Sequence, residues 1–145
     1  MKILSRRFEL HYVVIAEVKG TFEECMQEID RIKSELLEND LYTSNPVIYR
    51  VVNTEPARVT IELVFQLNKG FEPEEGTGFK YRDRLVYKDC LYTRYFVGEY
   101  SNLQVEKALR SVADSNNVNM QAPYYVNIPI PGGKVIDVYA PITGM

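Results

Sequence analysis

The sequence has no tryptophan, a single histidine and two cysteines, so several chemistries drop out at once. His11 alone assembles neither a histidine-based metal centre nor a Ser-His-Asp triad. A strand histidine on a polar face is most simply a surface residue. Cys25 and Cys90 stand in no metal-binding or redox spacing, and two unpaired thiols fit a reducing cytoplasm. No stretch approaches the roughly 18 consecutive apolar residues of a membrane helix. No secretory leader is expected: MKILSRRFELHYVVIAEVKG starts with a charge, but Arg6, Arg7, Glu9 and His11 break its apolar run. Positive charge is not in excess. A formal charge of −3 argues against a dedicated nucleic-acid binder. These absences predict a cytoplasmic protein with no metal, no cofactor, and neither a membrane nor nucleic acid as partner.

What is present suits one folded domain. The 145 residues are 46% hydrophobic and 26% charged, enough for a sizeable core. Residues 6–18, RRFELHYVVIAEV, read as a strand with Phe8, Leu10, Tyr12, Val14 and Ala16 on one side. A helix follows, capped by Thr21 with Glu24 three residues on, and carrying one apolar stripe of Phe22, Cys25, Met26, Ile29, Ile32 and Leu36. ENDLYTSNP turns the chain, and strands are predicted at 47–52 and 58–67.

The second half repeats this order. A strand at 86–98 leads to a helix capped by Ser101 with Gln104, whose apolar face is Leu103, Val105, Ala108, Leu109 and Val112. DSNNVNMQAP breaks it, and strands are predicted at 124–129 and 134–141. Thr21 matches Ser101, Pro46 matches Pro123 and Glu62 matches Asp137, in the same order, with shorter loops in the second copy. The expectation is an α+β domain of two β-α-β-β repeats, about 6–67 and 86–143, related by a pseudo-twofold axis. One antiparallel sheet would carry both helices on one face, leaving the other partly open or curved into a groove. Segment 68–85, rich in glycine and charge, is the expected linker, either mobile or a lid.

Each half places an acid inside an apolar strand. In ARVTIELVFQL, Val59, Ile61, Leu63, Phe65 and Leu67 form the core set, so Glu62 faces the other way. In GGKVIDVYAPI, Ile136, Val138, Ala140 and Ile142 form the core set, and Asp137 faces away with Val135 and Tyr139. Two readings are open. Either the second face is wet and the acids are simply solvated, or tyrosine, valine and acid line an apolar cleft. In the cleft, a partly desolvated carboxylate of raised pKa would favour a cationic or hydrogen-bonding ligand. Tyr49, Tyr92, Tyr125 and Tyr139 lie on predicted strands, where tyrosine often serves packing alone. Beside carboxylates they would also suit flat or cationic ligands.

The stretches EVKGTFEE, NPVIYRV, VTIELVFQL, APYYVNI and VIDVYAPI together resemble the GyrI-like domains. These are also called bacterial transcription-activator effector-binding domains, and they occur in multidrug-responsive regulators. The resemblance spans residues 6–143. It implies a doubled β-α-β-β sheet, a groove between the halves, aromatic walls and a carboxylate for cationic drugs. Asp137 in IDVYAP matches the position of that carboxylate, and Glu62 matches the corresponding place in the first half. The chain departs from the family pattern in carrying aspartate rather than the usual glutamate, and VGEYSNLQ only loosely resembles the Gly-Pro-Tyr-Glu pattern. Without tryptophan, aromatic walls must come from 11 Tyr and 6 Phe. A stand-alone member, without a preceding helix-turn-helix segment, is expected. The chain also resembles small proteins of unknown function from Gram-positive bacteria, some encoded beside type VII secretion toxin genes.

The resulting expectation is a small-molecule binding domain for an amphipathic ligand, cationic or neutral, with Glu62 and Asp137 supplying charge and Tyr49, Tyr92, Tyr125 and Tyr139 the walls. The alternative is an interaction protein that holds a peptide or helix of a partner, such as a type VII secretion toxin. A further alternative is a GyrI-like hydrolase that pairs Glu62 with Tyr139 or Tyr49 to open a strained ring. Cys25 belongs to the helix stripe. Cys90 alternates with Tyr92 toward the groove but has no base to activate it. Lys80, Arg82, Arg84, Lys88 and Arg94 form a basic stretch, read as a solvated rim alternating with Asp83 and Asp89.

Overall fold

Apolar residues at helical spacing and at strand spacing divide the described residues into nine elements. A computed structural model describes residues 1–43, 46–73, 76 and 78–144. Ser44 and Asn45 of the first turn, and Glu74, Glu75 and Thr77 of the expected linker, lie outside them. The order is β1 (Leu4–Gly20), α1 (Phe22–Leu37), β2 (Val47–Glu55), β3 (Arg58–Gln66), β4 (Phe79–Phe96), α2 (Asn102–Ser115), β5 (Asn119–Met120), β6 (Tyr124–Ile130) and β7 (Gly133–Thr143). This is a mostly-sheet α+β fold with antiparallel ladders. It divides into two compact units, Glu9–Leu85 and Met1–Phe8 with Val86–Met145.

In the unit Glu9–Leu85, β3 is the middle strand, antiparallel to β1 on one side and β2 on the other. α1 starts where Thr21 accepts from the Glu24 backbone while the Glu24 side chain accepts from the Thr21 backbone, a complete capping box. Its buried stripe is Cys25, Ile29, Ile32 and Leu36. The Phe22 ring meets Tyr49 edge-on, with centroids 5.5 Å apart, and Tyr49 lies opposite Leu63 in the ladder. Cross-strand partners share a face, so α1 covers the face that carries Leu63. Ile32, Leu36, Ile61 and Leu63 are fully buried there, each worth roughly 1.5–3 kcal/mol of transfer free energy.

In the other unit, β7 is the middle strand, antiparallel to β4 and to β6, with the two-residue β5 paired beyond β6 at Ile142 and Thr143. Ser101 and Gln104 form the second capping box. The Tyr95 hydroxyl donates to Asn102 Oδ1 of α2 at 2.6 Å, and Tyr95 lies opposite Ile136. α2 therefore covers the face of Ile136, Val138 and Ala140, the core set expected from alternation.

Beyond the short β5, which lies where DSNNVNMQAP reads only as a helix break, two strands depart from expectation. β4 begins at Phe79 rather than Val86, because FKYRDRL alternates half-buried rings with exposed charges. What reads as a charged linker is in part a strand. β1 does not keep one alternation: Leu10 is half-buried and Tyr12 is 43% exposed, whereas Val13, Val14, Ile15 and Ala16 are all buried. Tyr12 takes a left-handed backbone conformation, φ 53°, and this shifts the pleat.

Candidate functional site

The site is built on β7, whose alternation sends Asp137 and Tyr139 to the face opposite α2. Asp137 lies across from Arg94 on β4 and Val126 on β6. Tyr139 lies across from Tyr92 and Tyr124. Register thus gathers one acid, one arginine and three tyrosines on a single face.

This face is not wet in the way a solvated acid requires. Asp137 is 5% exposed. A buried carboxylate is costly unless its oxygens are bonded, and here they are. Arg94 Nε donates to Oδ1 at 2.6 Å and Nη2 donates to Oδ2 at 2.9 Å, a bidentate pair. The Tyr92 hydroxyl donates to Oδ1 at 2.9 Å. The Arg94 side chain is 58% exposed against 7% for that of Asp137, so the pair runs from a buried anion to a cation in water. Bonding to Asp137, followed by its charge, holds the Arg94 proton more tightly than in a free arginine.

Aromatic rings surround the acid. Tyr92 and Tyr139 lie 4.9 Å apart between centroids, and Phe8 lies 4.6 Å from Tyr139 and 5.1 Å from Tyr124. The Arg6 guanidinium stands 4.3 Å over the Tyr92 ring, a cation–π contact. The Tyr87 and Tyr124 hydroxyls are 3.0 Å apart. Burial first, and Asp137 second, push the hydroxyl pKa values of Tyr92 and Tyr139 upward. Cys90, fully buried on the same strand as Tyr92, has its thiol pushed up to about 12, chiefly by burial. It is a core thiol rather than a nucleophile at neutral pH.

Glu62 occupies the middle strand of its own unit, across from Glu17 on β1 and Arg50 on β2. Arg50 Nε stands 3.4 Å from Glu62 Oε1, and the two side chains are 19% and 20% exposed. This is a looser pair than Arg94 with Asp137. Tyr49 faces α1, on the other side of the sheet from Glu62, so the Glu62–Tyr49 pair of a ring-opening hydrolase is not formed. Tyr125 lies opposite Val138, on the α2 face, away from Asp137. Of the six expected residues, the structure therefore brings together Asp137, Tyr92 and Tyr139.

Arg94, Arg6, Phe8, Tyr87 and Tyr124 are the residues that sequence reasoning missed. Arg94 was findable, since Tyr92 and Arg94 are two apart on one strand and must share a face. Tyr124 was not, because choosing between Tyr124 and Tyr125 needs the register. Among the described residues no group of three or more His, Cys, Asp or Glu side chains is placed to hold a metal ion, and no helix is long and apolar enough to cross a membrane.

The family model of DUF5085, a domain of unknown function, matches residues 12–143. The chain belongs to the DUF5085 family. No curated protein matches its sequence. Among solved structures, this DUF5085 domain is similar to EcmrR in the cryo-EM structure of its DNA complex. The TM-score there is 0.76 at 12% identity, with 99% of this chain covered. The chain spans 58% of the length of that EcmrR chain. The crystal structure of the EcmrR C-terminal domain alone matches over 100% of both chains, at 13% identity and a TM-score of 0.71. A hydrolase from Listeria innocua matches at 9% identity and a TM-score of 0.58, over 96% of this chain and 91% of its own. At such identities the likeness speaks for the fold alone.

Proposed function

We propose that this domain binds a small amphipathic cation on the β7 face, with Asp137 as the charge and Tyr92 and Tyr139 as the walls. The observation that carries the reading is the carboxylate held 5% exposed among aromatic rings. Apolar packing alone has no use for a charge at this position, and desolvation makes one expensive. Rings beside a fixed anion suit a flat or cationic ligand. The GyrI-like resemblance of the sequence supports small-molecule binding.

The reading includes an internal repeat. Phe8–Glu17 and Leu85–Arg94 pass through the same order of burial: one buried, two half-buried, two exposed, four buried, one exposed. This order aligns Glu17 with Arg94, and each lies across from the acid of its middle strand. The two copies have diverged at the acid: Asp137 faces an arginine where Glu62 faces another glutamate. Glu62 is the secondary acid. The domain acts in the cytoplasm, where its two free, buried thiols persist.

A thermal-shift screen against aromatic cations, neutral amphiphiles and neutral flat aromatics tests the reading. A cation-selective stabilisation that disappears in Asp137→Asn and persists in part in Glu62→Gln is expected. A second reading, an interaction protein, is favoured by Phe96, Val97 and Leu103, which are 58%, 57% and 61% exposed. A screen in which no class shifts the protein would favour that reading instead.

A further inference from the structure

Arg94 makes the best-formed polar contact on the ligand face, yet it contributes no wall and no anion. Its guanidinium takes both oxygens of Asp137 in a bidentate fork, and Tyr92 supplies the third hydrogen bond. The two partners differ in freedom. Asp137 is fixed on a middle strand paired on both sides. The Arg94 side chain is 58% exposed, long and flexible, and its charge is readily rehydrated. When the pair opens, the arginine is the partner that moves.

We propose that Arg94 is the resident occupant of the cation site, and that a ligand reaches Asp137 by displacing it. The inference rests on the ligand site proposed above and adds its selectivity. A ligand that takes over from Arg94 must replace two parallel N–H···O bonds as well as a charge. A planar amidinium or guanidinium on an aromatic ring does both, forking onto Asp137 while its ring lies against Tyr92 and Tyr139. A quaternary ammonium has no N–H to donate and leaves the carboxylate oxygens short of bonds. The preferred ligand class is therefore aryl amidines and aryl guanidines. Displacing Arg94 costs every cation alike, and the carboxylate oxygens left without N–H donors discriminate against cations that cannot rebuild the fork.

The test is calorimetric titration of the purified domain with 2-naphthamidine and with (2-naphthylmethyl)trimethylammonium. The proteins are the wild type, Arg94→Met, Arg94→Gln, and Arg94→Met combined with Asp137→Asn. The amidine is expected to bind the wild type more tightly than the quaternary ammonium. Removing Arg94 should tighten both by about fivefold, the upper end of the scale of one partly exposed ion pair. Removing Asp137 as well should abolish the gain. Arg94→Gln, which can still donate one hydrogen bond to Asp137, serves if Arg94→Met does not fold. Wild-type binding that is unchanged or weaker in both Arg94 variants overturns the displacement and leaves the ligand site standing. Equal wild-type affinity for the two cations overturns the amidine preference. Absence of binding in every protein contradicts the ligand site, and the displacement falls with it.

Discussion

A buried anion and an exposed cation do not lose equally when their bond is broken. Asp137→Asn releases Arg94 into water and leaves an amide that still accepts from Tyr92. Its expected cost is about 1 kcal/mol. Arg94→Met strands a carboxylate that is 5% exposed, and is expected to cost about 2 kcal/mol, below the 3–5 kcal/mol of a fully buried pair because the Tyr92 hydrogen bond remains. Urea unfolding of both variants measures the asymmetry, and equal losses would contradict it. The raised groups give a second expectation. Cys90, Tyr92 and Tyr139 all hold their protons more tightly in the folded state. Their contribution is complete below the ordinary pKa values, about 8.5 for the thiol and about 10 for the hydroxyls. It is lost as pH rises, and for the thiol this continues until about 12. Unfolding free energy should fall from about pH 8.5 upward, and Cys90→Ala should flatten the first part of that fall. At this scale, the faces of Glu62 and Asp137 were legible from alternation within single strands. Alternation also puts Arg94 on the face of Tyr92, but the pairing of Arg94 with Asp137 and of Arg50 with Glu62 was not legible, because it depends on register.

Elements were the more legible level. Both helices begin where the sequence puts their caps, Thr21 with Glu24 and Ser101 with Gln104, because a capping box is a local device. Thr21→Ala and Ser101→Ala should each cost about 1 kcal/mol, read as a lowered melting midpoint. Strands were harder at two places, for separate reasons. Lys80, Arg82 and Arg84 made the start of β4 look like a loop, although an exposed strand face carries charge freely. Tyr12 broke the alternation of β1 through its own backbone, φ 53°, which no propensity announces for a tyrosine. Tyr12→Gly relieves about 1 kcal/mol of left-handed strain and adds a similar glycine entropy cost, so stability should hardly change. The same change at Val14, which is 0% exposed, empties a core position and should be severely destabilising. Comparable losses at the two sites would count against the strained pleat.

For the whole molecule, the α+β class and the order of elements were readable because helix stripes and strand alternation recur in sequence. Burial of the acid-bearing face of β7 was not, since it depends on Phe8 and Arg6 at the other end of the chain meeting Tyr139 and Tyr92. That burial turns Asp137 from an unremarkable surface acid into a candidate binding group. The most direct test is calorimetric titration of 2-naphthamidine against its uncharged isostere 2-naphthamide, in the wild type and in Asp137→Asn. At a ligand concentration of about 100 times Kd, stabilisation should reach about 2.7 kcal/mol, on the order of 10 °C in melting midpoint. Saturable binding of the amidine by the wild type, with the amide weak and Asp137→Asn blind to the charge, is the expected result. Equal binding of amidine and amide, or an undiminished preference for the amidine in Asp137→Asn, would contradict a charge role for this carboxylate.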